Sequence, residues 1–266
     1  MSYLSPALTL LISAVKKAGQ SLTRDFNEIE KIQSSIRGSA DFSRSAVARA
    51  EKILRQELSK ARPAYAFAVD GQAEPQGTHF VISAMDGMTN FAHGLPYFAV
   101  SAAIIDNSVP LMAVIYNPVT DELFFAEKGC GAYKEGFRNH ERLRVSARKD
   151  LSDSLIGINC GNSDFAQVQH THSILENAQA SVRISKSVVM DFAYVASGKL
   201  DAVVGLASSH SQIIPALLLI KEAGGVVRDI YTKDVRVENL PELLSSGNIL
   251  AVNPNLSTPL HGALNK

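Results

Sequence analysis

The chain has 266 residues, 46% of them apolar, and its 26 basic and 26 acidic residues cancel. The apolar share suffices for a sizeable core, and the charge balance supplies no net field toward nucleic acid or an anionic membrane. The two cysteines, Cys130 and Cys160, lie far apart and outside any C-x-x-C or Cys/His spacing, which argues against a zinc site or a disulfide framework, and buried free thiols are expected.

Leu4, Ala7, Leu8, Leu11, Ile12, Val15, Ala18, Leu22 and Phe26 recur at three- and four-residue steps, which predicts a long amphipathic helix packed on a sheet or a partner. Lys16 and Lys17 follow its apolar start and no basic residue precedes it, the reverse of a signal peptide's charge order. No apolar run reaches membrane-spanning length, and a cytoplasmic location is expected. Residues 30–35 then read as extended and Arg37-Gly38-Ser39 as a loop. A second helix is expected over 45–58, stopped by Arg62-Pro63. An apolar strand over 64–69 leads into Asp70-Gly71, a turn pair whose carboxylate is also a candidate cation ligand.

Phe80-Val81-Ile82 continues through Ser83-Ala84-Met85 to Asp86-Gly87, then Thr89-Asn90 and Phe91. This pattern predicts a buried strand delivering a carboxylate into a turn. Such a carboxylate can hold a hard cation, and the backbone N–H groups that open the next helical turn can receive an anion, so phosphate handling is one reading and a plain Asp-Gly turn the other. Short apolar strands at 99–105, 110–116 and 122–126, separated by turn signals, suggest an antiparallel meander. Cys130, between Gly129 and Gly131, falls in a turn of that meander rather than on a nucleophile elbow. No G-x-S-x-G, Walker A or H-E-x-x-H motif is present.

Beyond residue 155 strands and helices alternate: strands at 155–158, 182–184 and 202–204, helices at 165–178 and 188–196. This predicts an α/β half with parallel character. An apolar helix over 213–222 closes at Gly224-Gly225, strands follow at 226–228 and 248–252, and a short helix at 257–264 ends the chain. Two halves, 1–153 and 154–266, are expected to form one compact unit.

The run I-x-x-x-D-G-x-T-N-F-x-H-G-x-P-x-F-A-V-S, from Ile82 to Ser101, resembles the inositol monophosphatase family, in particular its bacterial extragenic suppressor (SuhB-type) branch. The strings NPVTDELFFAEKGCGAY, MDFAYVASGKLDAVV and LLLIKEAGGVVRD extend the resemblance over nearly the whole chain. It implies a mixed α/β fold of layered α-β-α-β-α type. Members of that family hydrolyse phosphate monoesters with magnesium ions held by the carboxylates of Glu-Glu, D-P-x-D and W-D motifs. Carried over by position, Asp86 matches, Asp70 is a shortened match, and the Met85 carbonyl stands where the family has a backbone ligand. Gly87 and Met88 would offer backbone N–H groups to a phosphate, and Asp86 and Thr89 are what remains of the catalytic motif.

The departures fall on the chemistry. Ser83 and Gln212 stand where the family has metal-binding Asp, and Ala84 replaces Pro. Met88 replaces the Thr implicated in positioning water. Gly71 and Val47 remove further carboxylates, Gly205 stands at the sugar-contacting Glu, and Lys186 stands where Gly is usual. Pro215 lacks an N–H and disfavours helical geometry before it, which predicts a late or distorted start to the last core helix and a remodelled loop over 208–214. Lys186 either faces the cleft or is a surface lysine.

The resemblance therefore implies a protein with a degraded magnesium site and no tightly bound cofactor. It would act by binding, with a transcription-machinery partner in ribosomal RNA production and a homodimeric state. The alternative is a weak magnesium-dependent phosphatase for inositol monophosphate or a similar sugar phosphate.

Overall fold

The computed structural model describes residues 4–29, 36–161, 165–232 and 240–265. In chain order the elements are α1 (Pro6–Ile29), α2 (Ile36–Ala61), β1 (Ala66–Phe67), β2 (Thr78–Asp86), α3 (Met88–Ala92), β3 (Ala99–Asp106), β4 (Val109–Asn117), β5 (Glu122–Glu127), β6 (Gly131–Lys134) and β7 (Glu141–Arg142). Then come β8 (Leu155–Cys160), α4 (Phe165–Asn177), β9 (Ser181–Arg183), α5 (Val188–Ala196), β10 (Ala202–Leu206), α6 (His210–Glu222), β11 (Val226–Asp229), α7 (Leu240–Ser246), β12 (Ile249–Val252) and α8 (Pro254–Leu264).

Strands β1 to β7 form one sheet in chain order, antiparallel except for the β1–β2 pair. The second sheet runs β11-β12-β10-β8-β9, parallel where β8 meets β9 and β10 and antiparallel around β12. The buried stripe of α1, from Leu8 through Leu11, Val15 and Ala18 to Leu22, packs with α2 on the outer face of the first sheet, as the periodicity predicted. Helices α5 and α6 fill the space between the sheets, so Val81, Ile115 and Phe124 share one core with Phe192, Leu217 and Val203. Helices α4 and α8 cover the far face of the second sheet, where Leu175, Leu256 and Leu260 pack on Ile158 and Val204. The layers are thus α-β-α-β-α. Among the described residues no helix is long and apolar enough to cross a membrane.

Several boundaries differ from the sequence reading. Arg37-Gly38-Ser39 is the first turn of α2 rather than a loop. The buried ladder Ser43, Ala46, Ala50, Leu54 and Leu58 anchors that helix, and a glycine in its first turn costs little. The strand expected over 64–69 shrinks to the two residues of β1, because β1 is an edge paired on one side. Residues 30–35 lie outside the described residues. The start of α6 is the clearest correction: it begins at His210 with Pro215 inside it, not late after a remodelled loop. The proline sits more than a turn in and forgoes the one bond its N–H would have made to Ser211. Helix α7 and strand β7 have no counterpart in the sequence reading, while β6 is the strand expected after the Cys130 turn.

Candidate functional site

The geometry of β2 decides where Asp86 points. Pairing with β3 is regular from Thr78 to Ser83, opposite Ser101, and resumes at Asp86 opposite Ala99, so one extra residue is inserted as a bulge. Before the bulge Phe80, Ile82 and Ala84 face α1 and α2, while Val81 faces the inter-sheet core. Simple alternation would send Asp86 to the α1/α2 side. The inserted residue puts Met85 there instead and turns Asp86 toward α5 and α6. The turn that follows requires glycine: Gly87 has φ 91°, and a Cβ there would lie 2.8 Å from the Tyr97 carbonyl oxygen.

Asp86 is buried at the N-terminal end of α5. Its Oδ2 accepts from Ser187 Oγ at 2.7 Å and from the Val189 N–H at 2.9 Å, and its Oδ1 accepts from Gln212 Nε2 at 2.7 Å. Burial raises its pKa, and the bonds from Ser187, Val189 and Gln212 oppose that rise. The Gln212 amide has one orientation that serves both its ends: its Oε1 accepts from the Ser209 N–H at 3.0 Å while its Nε2 faces the carboxylate. Ser209 and Gln212 therefore form the S-x-x-Q arrangement that opens a helix.

Asp70 is also engaged with a helix end. Exposed in the turn after β1, it accepts from the Ser211 N–H at 3.0 Å and from Ser211 Oγ at 2.6 Å, at the start of α6. Each carboxylate thus sits against the positive end of a helix dipole, Asp86 on α5 and Asp70 on α6. The run 208–211 is accordingly not the remodelled loop expected: Ser208 is buried, and Ser211, in the first turn of α6, holds Asp70.

The remaining candidates divide by role. Met85 packs partly buried in the outer core, while Met88 and Thr89 are exposed on α3. Asn90 and Phe91 are architectural: Asn90 Nδ2 donates to the carbonyls of Tyr97 at 2.7 Å and Ser185 at 2.8 Å, and the Phe91 ring packs edge-on against Phe98 at 5.2 Å. Ser83 lies on the same face of β2 as Val81, half-buried, ahead of the bulge. Gly205, the last residue but one of β10, faces Ser208 Oγ and Phe192. Val47, on α2, packs partly buried against the outer core. Lys186 is exposed, and its Nζ lies 2.9 Å from Cys160 Sγ.

A second buried carboxylate, Asp191 on α5, did not figure among the sequence candidates. It accepts from Tyr97 Oη at 2.5 Å, from Ser185 Oγ at 2.6 Å and from Asn159 Nδ2. Burial raises its pKa to about 6 against those three bonds, and the charge of Asp86 adds to the rise. Asp191 and Asp86 flank the segment 185–187, whose two serine hydroxyls each donate to one of them. Sequence signals existed for part of this: Ser187 precedes an apolar helical run in N-cap position, and Ser209-x-x-Gln212 reads as a capping box. An aspartate inside an apolar helix gives no sign of its partners.

The model of the inositol monophosphatase family matches residues 4–266. The chain belongs to that family. An inositol-1-monophosphatase of Rhizobium meliloti (strain 1021) is 38% identical over 271 residues, covering 98% of this chain and 97% of that protein. Nus factor SuhB of Escherichia coli (strain K12) is 30% identical over 261 residues, covering 94% and 92%. The crystal structure of extragenic suppressor protein SuhB from Bartonella henselae superposes with a TM-score of 0.84 at 33% identity, covering 98% of this chain and 99% of that one. As an inositol monophosphatase family member, the chain carries Asp86, Gly87, Thr89, Asn90 and Phe91 of the central motif on the strand, turn and short helix described above.

Proposed function

We propose that this member of the family acts by binding rather than by phosphate-ester hydrolysis, its magnesium site having been replaced by hydrogen bonds within the protein. The observation that carries this reading is the environment of Asp86. Oδ1 faces an amide N–H of Gln212, and Oδ2 faces the Ser187 hydroxyl and the Val189 N–H. Magnesium takes hard, anionic oxygens in near-octahedral array, and a two-metal centre needs carboxylates that bridge. A cation near Asp86 would meet the positive ends of three donors aimed at the same two oxygens. The residues present do not fit a magnesium pair, because Ser83 and Gln212 supply a hydroxyl and an amide where the family motif has carboxylates.

On this reading no tightly bound cofactor is needed. The binding role is of the kind named for the Nus factor SuhB relatives, with a protein of the transcription machinery as partner and a homodimer as the working form. A weak magnesium-dependent phosphatase acting on inositol monophosphate is the second reading, favoured by the 38% identity to a protein named inositol-1-monophosphatase.

Inositol monophosphate turnover across a magnesium titration separates the two, with the Ser83→Asp/Gln212→Asp double variant run alongside. Binding alone predicts turnover at the metal-free baseline at every magnesium concentration. Magnesium-dependent turnover in the unmodified protein sinks it. Gain of magnesium binding by the double variant would show that the loss lies in the ligands and not in the scaffold.

A further inference from the structure

Cys160 ends β8 half-buried, and Lys186 stands in the segment before α5. Lys186 Nζ lies 2.9 Å from Cys160 Sγ, which puts two nucleophilic side chains in direct contact. Both issue from backbone that is held. Cys160 is paired in register with Leu206 of β10. Lys186 has φ 60° and is anchored on each side: the Ser185 carbonyl accepts from Asn90 and its hydroxyl donates to Asp191, while the Ser187 hydroxyl donates to Asp86. The contact is therefore recreated each time the Lys186 stem folds back.

We propose that Cys160 and Lys186 form a reversible redox link, a sulfur–nitrogen bond made under peroxide. In the first step the Cys160 sulfur attacks hydrogen peroxide. The O–O bond breaks, the thiol becomes a sulfenic acid, and one water leaves; sulfur is oxidised by two electrons and peroxide reduced by two. In the second step Lys186 Nζ, having lost its ammonium proton to water, attacks the sulfenic sulfur. The S–O bond breaks and the hydroxyl leaves with a proton from nitrogen as a second water, giving a sulfenamide. Two equivalents of an external thiol return cysteine and lysine and form the external disulfide. A partner amine already in contact has a high effective concentration, so capture precedes attack by solution thiols or further peroxide. Cys130, exposed in the turn between β5 and β6, is the internal comparison.

The test is peptide mapping by mass spectrometry of the folded full-length protein after a few equivalents of hydrogen peroxide, with dimedone present to trap free sulfenic acid. The expected result is a Cys160 peptide joined to the Lys186 peptide with net loss of two hydrogens, removed by dithiothreitol. It is absent from Cys160→Ser and Lys186→Arg, and Lys186→Arg shows several-fold more dimedone on Cys160. Cys130 carries dimedone equally in both. The proposal is overturned if wild-type Cys160 takes dimedone as readily as in Lys186→Arg, passes to sulfinic acid with no linked peptide, or stays a thiol while Cys130 oxidises. It is overturned equally if urea-unfolded protein links to the same extent, since the folded contact would then be irrelevant.

Discussion

Replacing Asp191 by asparagine removes a charge from a site that is 1% exposed and keeps nearly the same shape. The native carboxyl has a pKa of about 6 where the unperturbed value is 3.8. Between those two values the folded protein holds a proton that the unfolded chain has released. Stability therefore falls as pH rises through this window, is fully present below 3.8, and is lost above about 6. A shift of this size is worth about 3 kcal/mol, of which roughly 2–3 kcal/mol develops between pH 4 and 7.5. Asparagine does not titrate, so it escapes that loss. It carries a cost independent of pH: one carboxylate oxygen becomes an NH2 group, and one of the donors Tyr97, Ser185 and Asn159 must find another acceptor, at about 1–3 kcal/mol. Urea unfolding of both proteins at pH 4, 5, 6 and 7.5 measures the difference directly. The variant should be the less stable at pH 4 and gain on the wild type by roughly 2–3 kcal/mol on the way to pH 7.5. A difference that stays flat across that range would mean that Asp191 ionises in the fold without penalty.

Three further outcomes are expected. Gly87→Ala should lower the free energy of unfolding by roughly 1–3 kcal/mol, because φ 91° and the Tyr97 carbonyl at 2.8 Å both exclude a Cβ; the urea midpoint of the variant measures it. Gln212→Ala removes the donor to Asp86 and the acceptor for Ser209 together, so a loss of about 1–3 kcal/mol is expected, whereas Gln212→Glu should cost more by setting a second carboxylate against Asp86; thermal melts rank the pair. Burial raises the Glu122 pKa, but Lys134, Lys199 and Tyr194 outweigh it and hold the group at about 2, so its stabilisation is present above 4.5 and lost as pH falls through about 2. Glu122→Gln should accordingly flatten the acid limb of the stability curve, and an unchanged limb would count against that ion cluster.

Most of the architecture could be read from periodicity. The α1 stripe, the meander β3 to β5 and the apolar run of α5 all appear within a residue or a few of their predicted bounds, because each buries one regular face. The site was legible in part. Gly87 and Asp86 announce a turn, and they form one. What the sequence did not disclose is the bulge that turns Asp86 inward, since an extra residue in one strand shows itself only against its partner. The start of α6 departs from expectation for a related reason. Pro215 is a local obstacle, yet a cap at Ser209 and a buried stripe from Ile213 to Ile220 outweigh one missing bond.

On the proposed reading of a lost magnesium site, Gln212 also accounts for how the fold tolerates that loss. A cleft shaped for cations leaves its carboxylates repelling one another when the cations go, and two charges about 4 Å apart cost roughly 4 kcal/mol at an effective dielectric of about 20. Here that repulsion is reduced twice. The Gln212 side chain carries no charge, and its N–H group supplies to Asp86 the positive end that a metal would otherwise supply. Asp70 is drawn to the opposite end of the same junction, onto Ser211. Both aspartates then serve as acceptors for helices whose first N–H groups need them in any case, which strengthens the helix starts. Introducing an aspartate at position 212 without one at position 83 should therefore be the worst combination, adding a charge and removing a cap. In urea unfolding without magnesium, Gln212→Asp should lose stability by more than Gln212→Ala, and adding magnesium should recover little of it. Full recovery by magnesium in that single variant would mean that Asp70, Asp86 and the carboxylate introduced at position 212 already suffice to hold the ion.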